Sequence, residues 1–156
     1  IFNTFGNKQM KDLIGNFKNF LNEQNSYPLG EKDDIEKTSK VIVFDEDKNI
    51  LILQRASHMK WSPKKWDLPG GHLKNKETSK DAAKREVKEE TGLSITKLIQ
   101  IGEVGNIAVF KAIINKKNEI KLDDENSNYK WIKPNNINDY DFVPELISFV
   151  INLEIE

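Results

Sequence analysis

The sequence predicts an α+β domain, on three observations. Short apolar and β-branched runs bounded by turn residues recur through the middle of the chain, the pattern of strands. Helical spacing is confined to three segments: near the start, around residue 85 and at the end. The length of 156 residues suits one domain of ordinary size with a sizeable core.

In chain order, residues 7 to 24 read as an amphipathic helix. Met10, Leu13, Ile14, Phe17, Phe20 and Leu21 recur on one face, with Lys8, Lys11, Asp12 and Lys18 between them. Such a helix packs on its own domain or serves a partner, so a homodimer is a second reading of it. Residues 26 to 38, with Pro28, Gly30 and a charge cluster, read as a linker. The domain division is therefore 1–38 and 39–156. Val41 to Phe44 and Ile50 to Leu53 are two strands joined through the acidic turn 45–49, a hairpin. Trp61 to Leu68 is an aromatic-rich loop with a short extended end, broken by Pro69-Gly70-Gly71. Thr78 to Thr91 is a helix, with Gly92 in the position where helices commonly end. Extended segments are expected near Ile95 to Glu103, Ile107 to Ile114 and Tyr129 to Ile132. An apolar-faced helix from Phe142 to Leu153 closes the chain.

Composition narrows the function. The chain has no cysteine. That excludes disulfides, thiolate zinc sites and cysteine nucleophiles, and it fits a reducing compartment such as the cytoplasm. No apolar run approaches the roughly 20 residues of a membrane span. Net charge is −1, so no global basic field gathers nucleic acid, and an anionic substrate needs a local device such as a metal. Residue 1 is Ile, so the chain is expected to be processed, trimmed or the tail of a longer polypeptide.

The 78–91 helix carries the chemistry. At about 100° per residue, Glu86, Glu89 and Glu90 share one face, while Lys80, Lys84 and Lys88 lie opposite. The acidic arc sits beside Ala82, Ala83 and Val87, the small apolar positions that face the protein body. Carboxylates turned that way suit a hard divalent cation. Taken alone, the arc also reads as an ordinary solvated acidic face.

The spacing favours the cation. Gly71, Glu77, Arg85, Glu86, Val87, Glu89, Glu90, Gly92 and Leu93 match the pattern Gly-x5-Glu-x7-Arg-Glu-U-x-Glu-Glu-x-Gly-U, where U is aliphatic. With average composition such a match arises by chance on the order of once in a billion starts. This stretch, preceded by Trp66-Asp67-Leu68-Pro69-Gly70-Gly71, resembles the box of the Nudix hydrolases, and the similarity runs from about residue 39 to 153. The resemblance implies the family's αβα sandwich around a mixed sheet, plus here an extra N-terminal helix. It implies that Glu86, Glu89, Glu90 and the Gly71 carbonyl hold Mg2+, with Mn2+ able to substitute. Glu89 is either a third ligand or the water-activating base. Arg85 fixes a box glutamate, here Glu77. In some members the base comes from a later loop, where Glu125 is the candidate, with Asp123 and Asp124 nearby.

The implied reaction is hydrolysis of a diphosphate linkage in a nucleoside triphosphate or another nucleoside diphosphate-linked compound, by water attack on phosphorus. Substrate-binding candidates are Arg55 at a strand end, Trp61 as a stacking face, Lys60 and the turn Gly70-Gly71. His58 and His72 lack metal-pair spacing. Two other readings share the domain. One is an enzyme acting on the 5′ end of RNA, for which lysines near Trp61 and around Lys116 and Lys117 would supply a basic track. The other is a non-catalytic nucleotide-sensing module.

Overall fold

A computed structural model describes residues 36–115 and 118–143. The expected helices over 7–24 and 142–153, almost all of the 26–38 linker, and Lys116 and Lys117 lie outside these residues.

The described body is a seven-stranded mixed sheet with one long helix. Strand β1 (Thr38–Phe44) and strand β2 (Ile50–Arg55) form the expected hairpin. Its turn is fastened by Asp45, whose Oδ1 accepts from the amides of Asp47 and Asn49 and whose Oδ2 accepts from the Asn49 amide group. Asp45 is buried, so the acidic turn is not wholly solvated.

The two strands touch in register only at Phe44 and Ile50 and then part. The wedge between them is filled by β3 (Trp66–Asp67), which pairs with β2, and β4 (Gly70–His72), which pairs with β1. On its other edge β1 runs parallel to β6 (Ile107–Ile113) along its whole length, and β6 pairs antiparallel with β5 (Ile99–Val104). Strand β7 (Asn126–Ile132) lies antiparallel along β2. It begins three residues before the expected Tyr129. Residues 95–98 form no strand, although Ile95 and Leu98 are buried in the core.

Helix α1 (Ser79–Thr91) lies within the bounds expected for it. The Thr78 hydroxyl accepts from the Asp81 amide, and Gly92 closes the helix in the left-handed conformation at φ 77°. Ala83 and Val87 on its inner face pack on Val41, Val43, Leu51, Leu53, Ala108 and Phe110 of the sheet. Burial of this face, rather than helix propensity, supplies most of the helix's stability. Phe142 is not the start of a helix: it bridges to Trp66, and the Val143 amide donates to the Trp66 carbonyl. Pro134–Asp139 forms a short 3-10 helix. No helix among the described residues is long and apolar enough to cross a membrane.

Candidate active site

The wedge where β1 and β2 separate faces the inner side of α1. Pro69 brings the chain back to β1, its carbonyl accepting from the Val41 amide. Gly70 then turns at φ 147°, where an added Cβ would lie 2.0 Å from the Ser39 carbonyl oxygen. That conformation aims the Gly70 amide at Glu90 Oε2, 2.9 Å away. Glu90 is thus a buried carboxylate held by a backbone donor, not one of a set pointing freely outward.

Glu90 meets a second element. One carboxylate oxygen from each of Glu90, Asp123 and Glu125 lies within 4.8 Å of the other two. The segment carrying Asp123 and Glu125 is tied at both ends: the Lys121 amide donates to the Thr91 carbonyl at 2.8 Å, and the Ala56 amide to the Glu125 carbonyl at 2.8 Å. Asn126 Nδ2 donates to Asp123 Oδ1 at 2.9 Å. Among the described residues none of Glu90, Asp123 and Glu125 takes part in an ion pair. Three carboxylates converging with no direct ion pair among the described residues form a hard oxygen donor set that fits a divalent ion. Asp124 is exposed and outside the cluster.

Glu86 and Glu89 are paired within their own helix, although its lysines lie on the opposite face. Arg85 Nη1 donates to Glu86 Oε1 at 2.8 Å and to Glu89 Oε2 at 3.1 Å. Its Nε and Nη2 hold Glu77 at 2.7 and 3.0 Å, and Nη2 also reaches the His72 carbonyl. The Arg85–Glu77 pair is therefore as expected, with Arg85 also bracing the acidic face. The hydrogen bonds to Arg85 and to the Lys74 amide hold the Glu77 carboxyl down at about 2. Lys74 Nζ stands 3.8 Å from Glu89, which remains half exposed. The Glu86 carboxylate lies directly over Gly71: an added Cβ would stand 2.6 Å from Glu86 Cδ and Oε1.

Beneath the site lies a pair that sequence reasoning missed. Lys40 Nζ donates to Asp67 Oδ2 at 2.8 Å and to the Leu68 carbonyl at 3.3 Å, with both side chains nearly buried. Burial opposes the charge on Lys40, yet Asp67 beside it and Glu90 beyond outweigh that and raise its pKa. For Glu90 burial dominates and pushes the carboxyl well above the usual range, against the pull of Lys40 and the Gly70 amide. The only signal of Lys40 in the sequence is one cation at the head of an apolar strand.

The substrate candidates divide. Arg55 Nε donates to the Trp61 carbonyl at 2.8 Å, and its Nη1 stands 3.8 Å from Asp67 Oδ2. Trp61 and Lys60 are exposed, while Trp66 and Phe110 belong to the core. His58 and His72 are exposed, and His72 Nδ1 lies 3.2 Å from the Thr38 hydroxyl.

Known proteins resemble this chain in sequence and in fold. The family model described as the NUDIX domain matches residues 36–153. Over 67 residues the chain is 34% identical to the 8-oxo-dGTP diphosphatase of Proteus vulgaris, a match covering 42% of this chain and 57% of that one. Over 55 residues it is 40% identical to the human m7GpppN-mRNA hydrolase NUDT17, covering 35% of this chain and 17% of that one. These matches thus span well under two thirds of the relatives' own lengths. In fold it is similar to the MutT protein of Methanosarcina mazei Go1, with TM-score 0.59 and 24% identity over 74% of this chain and 89% of that one. It is also similar to the NUDIX domain of Shewanella oneidensis NrtR, solved with ADP ribose, with TM-score 0.65 and 17% identity over 83% and 93%. The architecture is that of these αβα sandwiches.

Proposed function

This chain belongs to the Nudix family, and from that premise we propose that it hydrolyses the diphosphate linkage of a small nucleotide, a nucleoside triphosphate or a nucleoside diphosphate conjugate, in a Mg2+-dependent reaction. The observation that carries the reading is the convergence of Glu90 with Asp123 and Glu125 beside the Gly70-Gly71 turn, with Glu86 and Glu89 on the same helix. Glu86, Glu90 and the Gly71 carbonyl would hold the ion, joined by Asp123, with Glu89 and Glu125 each either a further ligand or the base. When bound, a divalent ion supplies positive charge against the phosphate oxygens and makes a nearby water more acidic.

The chain's own groups do the rest. Arg85 fixes Glu86 and Glu89 in place and spares Glu77 for a structural pair. Glu89, half exposed, and Glu125, exposed at the rim, are the two carboxylates placed to accept a proton from the attacking water. The Gly70-Gly71 turn, lacking side chains, lets the Glu86 carboxylate lie against the backbone and the Gly70 amide reach Glu90. Residues 39–156 form the hydrolase domain in this reading, and 1–38 an accessory helix and linker.

The test is a magnesium-supplemented screen of nucleoside triphosphates, nucleoside diphosphate conjugates and a 5′-capped RNA, with products identified by mass. A nucleoside monophosphate should be released from a free nucleotide. Glu90→Gln keeps an acceptor for the Gly70 amide, so it should fold yet lose at least about 100-fold in kcat and most of its thermal stabilisation by magnesium. Full turnover in Glu90→Gln would refute the site, and turnover of the RNA alone would move the substrate to the second reading.

A further inference from the structure

The loop from Ala56 to Lys65 is closed in a way the hydrolytic site does not require. At its mouth the Arg55 amide donates to the Lys65 carbonyl and the Lys64 amide to the Arg55 carbonyl, both at 2.9 Å. Gln54 Nε2 adds a bond to the Lys64 carbonyl at 3.0 Å. Inside, the Met59 amide donates to Ala56 and the Lys65 amide to Ser62, and Ser62 and Lys64 adopt left-handed backbone at φ 43° and 64°. Arg55 Nε then spans the loop to the Trp61 carbonyl. A loop held at so many points leaves little conformational freedom to be lost on binding.

What it presents is Trp61, whose side chain is 73% exposed, the most accessible aromatic among the described residues. No ring or cation among the described residues stacks on it. Both ends of the loop lead to the acidic site. One is Ala56, whose amide holds the Glu125 carbonyl. The other passes through β3 to Gly70, whose amide holds Glu90. Lys60 and Lys64 of the same loop are exposed. A flat apolar face beside a phosphate-handling site, set in a rigid and locally cationic loop, fits a nucleobase.

We propose that the 56–65 loop is a preformed platform on which Trp61 stacks the base of the nucleotide substrate, and that Arg55 is a positioning residue that locks this loop rather than a substrate contact. The guanidinium supports that role: its Nε donates to the Trp61 carbonyl and its Nη1 stands 3.8 Å from Asp67 Oδ2. The proposal rests on the nucleotide hydrolysis proposed above and names its specificity element.

The test has a binding arm and a kinetic arm. Adenosine or guanosine monophosphate, which has no diphosphate linkage to cut, is titrated in magnesium buffer while tryptophan fluorescence is followed. The wild type should be quenched, Trp61→Phe should not, and ribose 5-phosphate should quench neither. In the kinetic arm, for the best triphosphate substrate, Trp61→Ala should raise KM about tenfold or more with kcat within about twofold, while Trp61→Phe keeps KM within about threefold. Arg55→Leu should raise KM like Trp61→Ala, Arg55→Lys should restore it, and Arg55→Leu in the Trp61→Ala background should add nothing. Equal KM in wild type and Trp61→Ala, or quenching that survives Trp61→Phe, overturns the platform. Additive losses overturn the positioning role of Arg55. Quenching without turnover of any nucleotide would refute the hydrolytic reading and leave the platform standing.

Discussion

A methyl group on Gly71 would stand 2.6 Å from Glu86 Cδ and Oε1 and 2.9 Å from Oε2, roughly 1 Å inside ordinary contact. The Gly71 backbone itself is not in the left-handed region, so alanine there meets no conformational barrier. What must yield is the far end of a flexible side chain. Glu86 is at the rim of the core, its side chain 16% exposed, and it can swing toward water. The cost to the fold is then the Arg85–Glu86 bond and minor repacking, about 1–2 kcal/mol, or roughly 4 °C in Tm. The cost to the site is larger, because a displaced Glu86 leaves its place over Gly71, next to the amide that holds Glu90. Apparent magnesium affinity and kcat/KM should fall about 100-fold. The assay pairs thermal unfolding with magnesium-dependent turnover. Gly70→Ala is the control, since its Cβ would strike the Ser39 carbonyl at 2.0 Å, where only backbone can move, and this variant should not fold. If Gly71→Ala folds and retains turnover within about threefold, the placement of Glu86 against that glycine has no bearing on activity.

Two further perturbations probe the surroundings. Lys40→Met leaves Asp67 nearly buried, with Arg55 at 3.8 Å as its remaining cation, and should cost about 3–5 kcal/mol in urea unfolding. Adding Asp67→Asn should recover part of this, because Oδ1 still accepts from the Leu68 amide. A loss below about 1 kcal/mol for Lys40→Met would show that the pair is not structural. The Glu77 carboxyl is held at about 2 in the folded chain against an ordinary 4.5, so its contribution is complete above pH 4.5 and disappears as the pH falls toward 2. Glu77→Gln should therefore show a shallower loss of urea midpoint over that window than the wild type; parallel profiles would count against the Arg85–Glu77 bond.

Much of this was legible in the chain because local chemistry and global packing agree there. Thr78 and Gly92 mark the ends of α1, and Ala82, Ala83 and Val87 mark its inner face, so the placing of Glu86, Glu89 and Glu90 followed from helix geometry. Tertiary contacts decided the rest. Asn126, Ser127 and Asn128 have poor strand propensity, yet they join β7 because the end of β2 offers them backbone partners. The lysines of the helix face away from the arc, whereas Arg85 reaches its immediate neighbour and the residue four ahead, a contact that spacing alone does not reveal. Glu125 emerged as a candidate from the resemblance, but its meeting with Glu90 depends on where β6 returns the chain. The Lys40–Asp67 pair joins strands 27 positions apart and has no periodicity to betray it.

The segment that brings Asp123 and Glu125 to Glu90 is fastened through the amides of Lys121 and Ala56, not through side chains. Main-chain fastenings do not depend on residue identity. The identity at exposed 121 is therefore free to drift over generations with the acids still in register, proline excepted because it has no amide hydrogen to give, while buried Ala56 need only stay small. A lineage could retune the rim of this site, its charge and its preferred nucleotide, while the catalytic spacing is inherited intact.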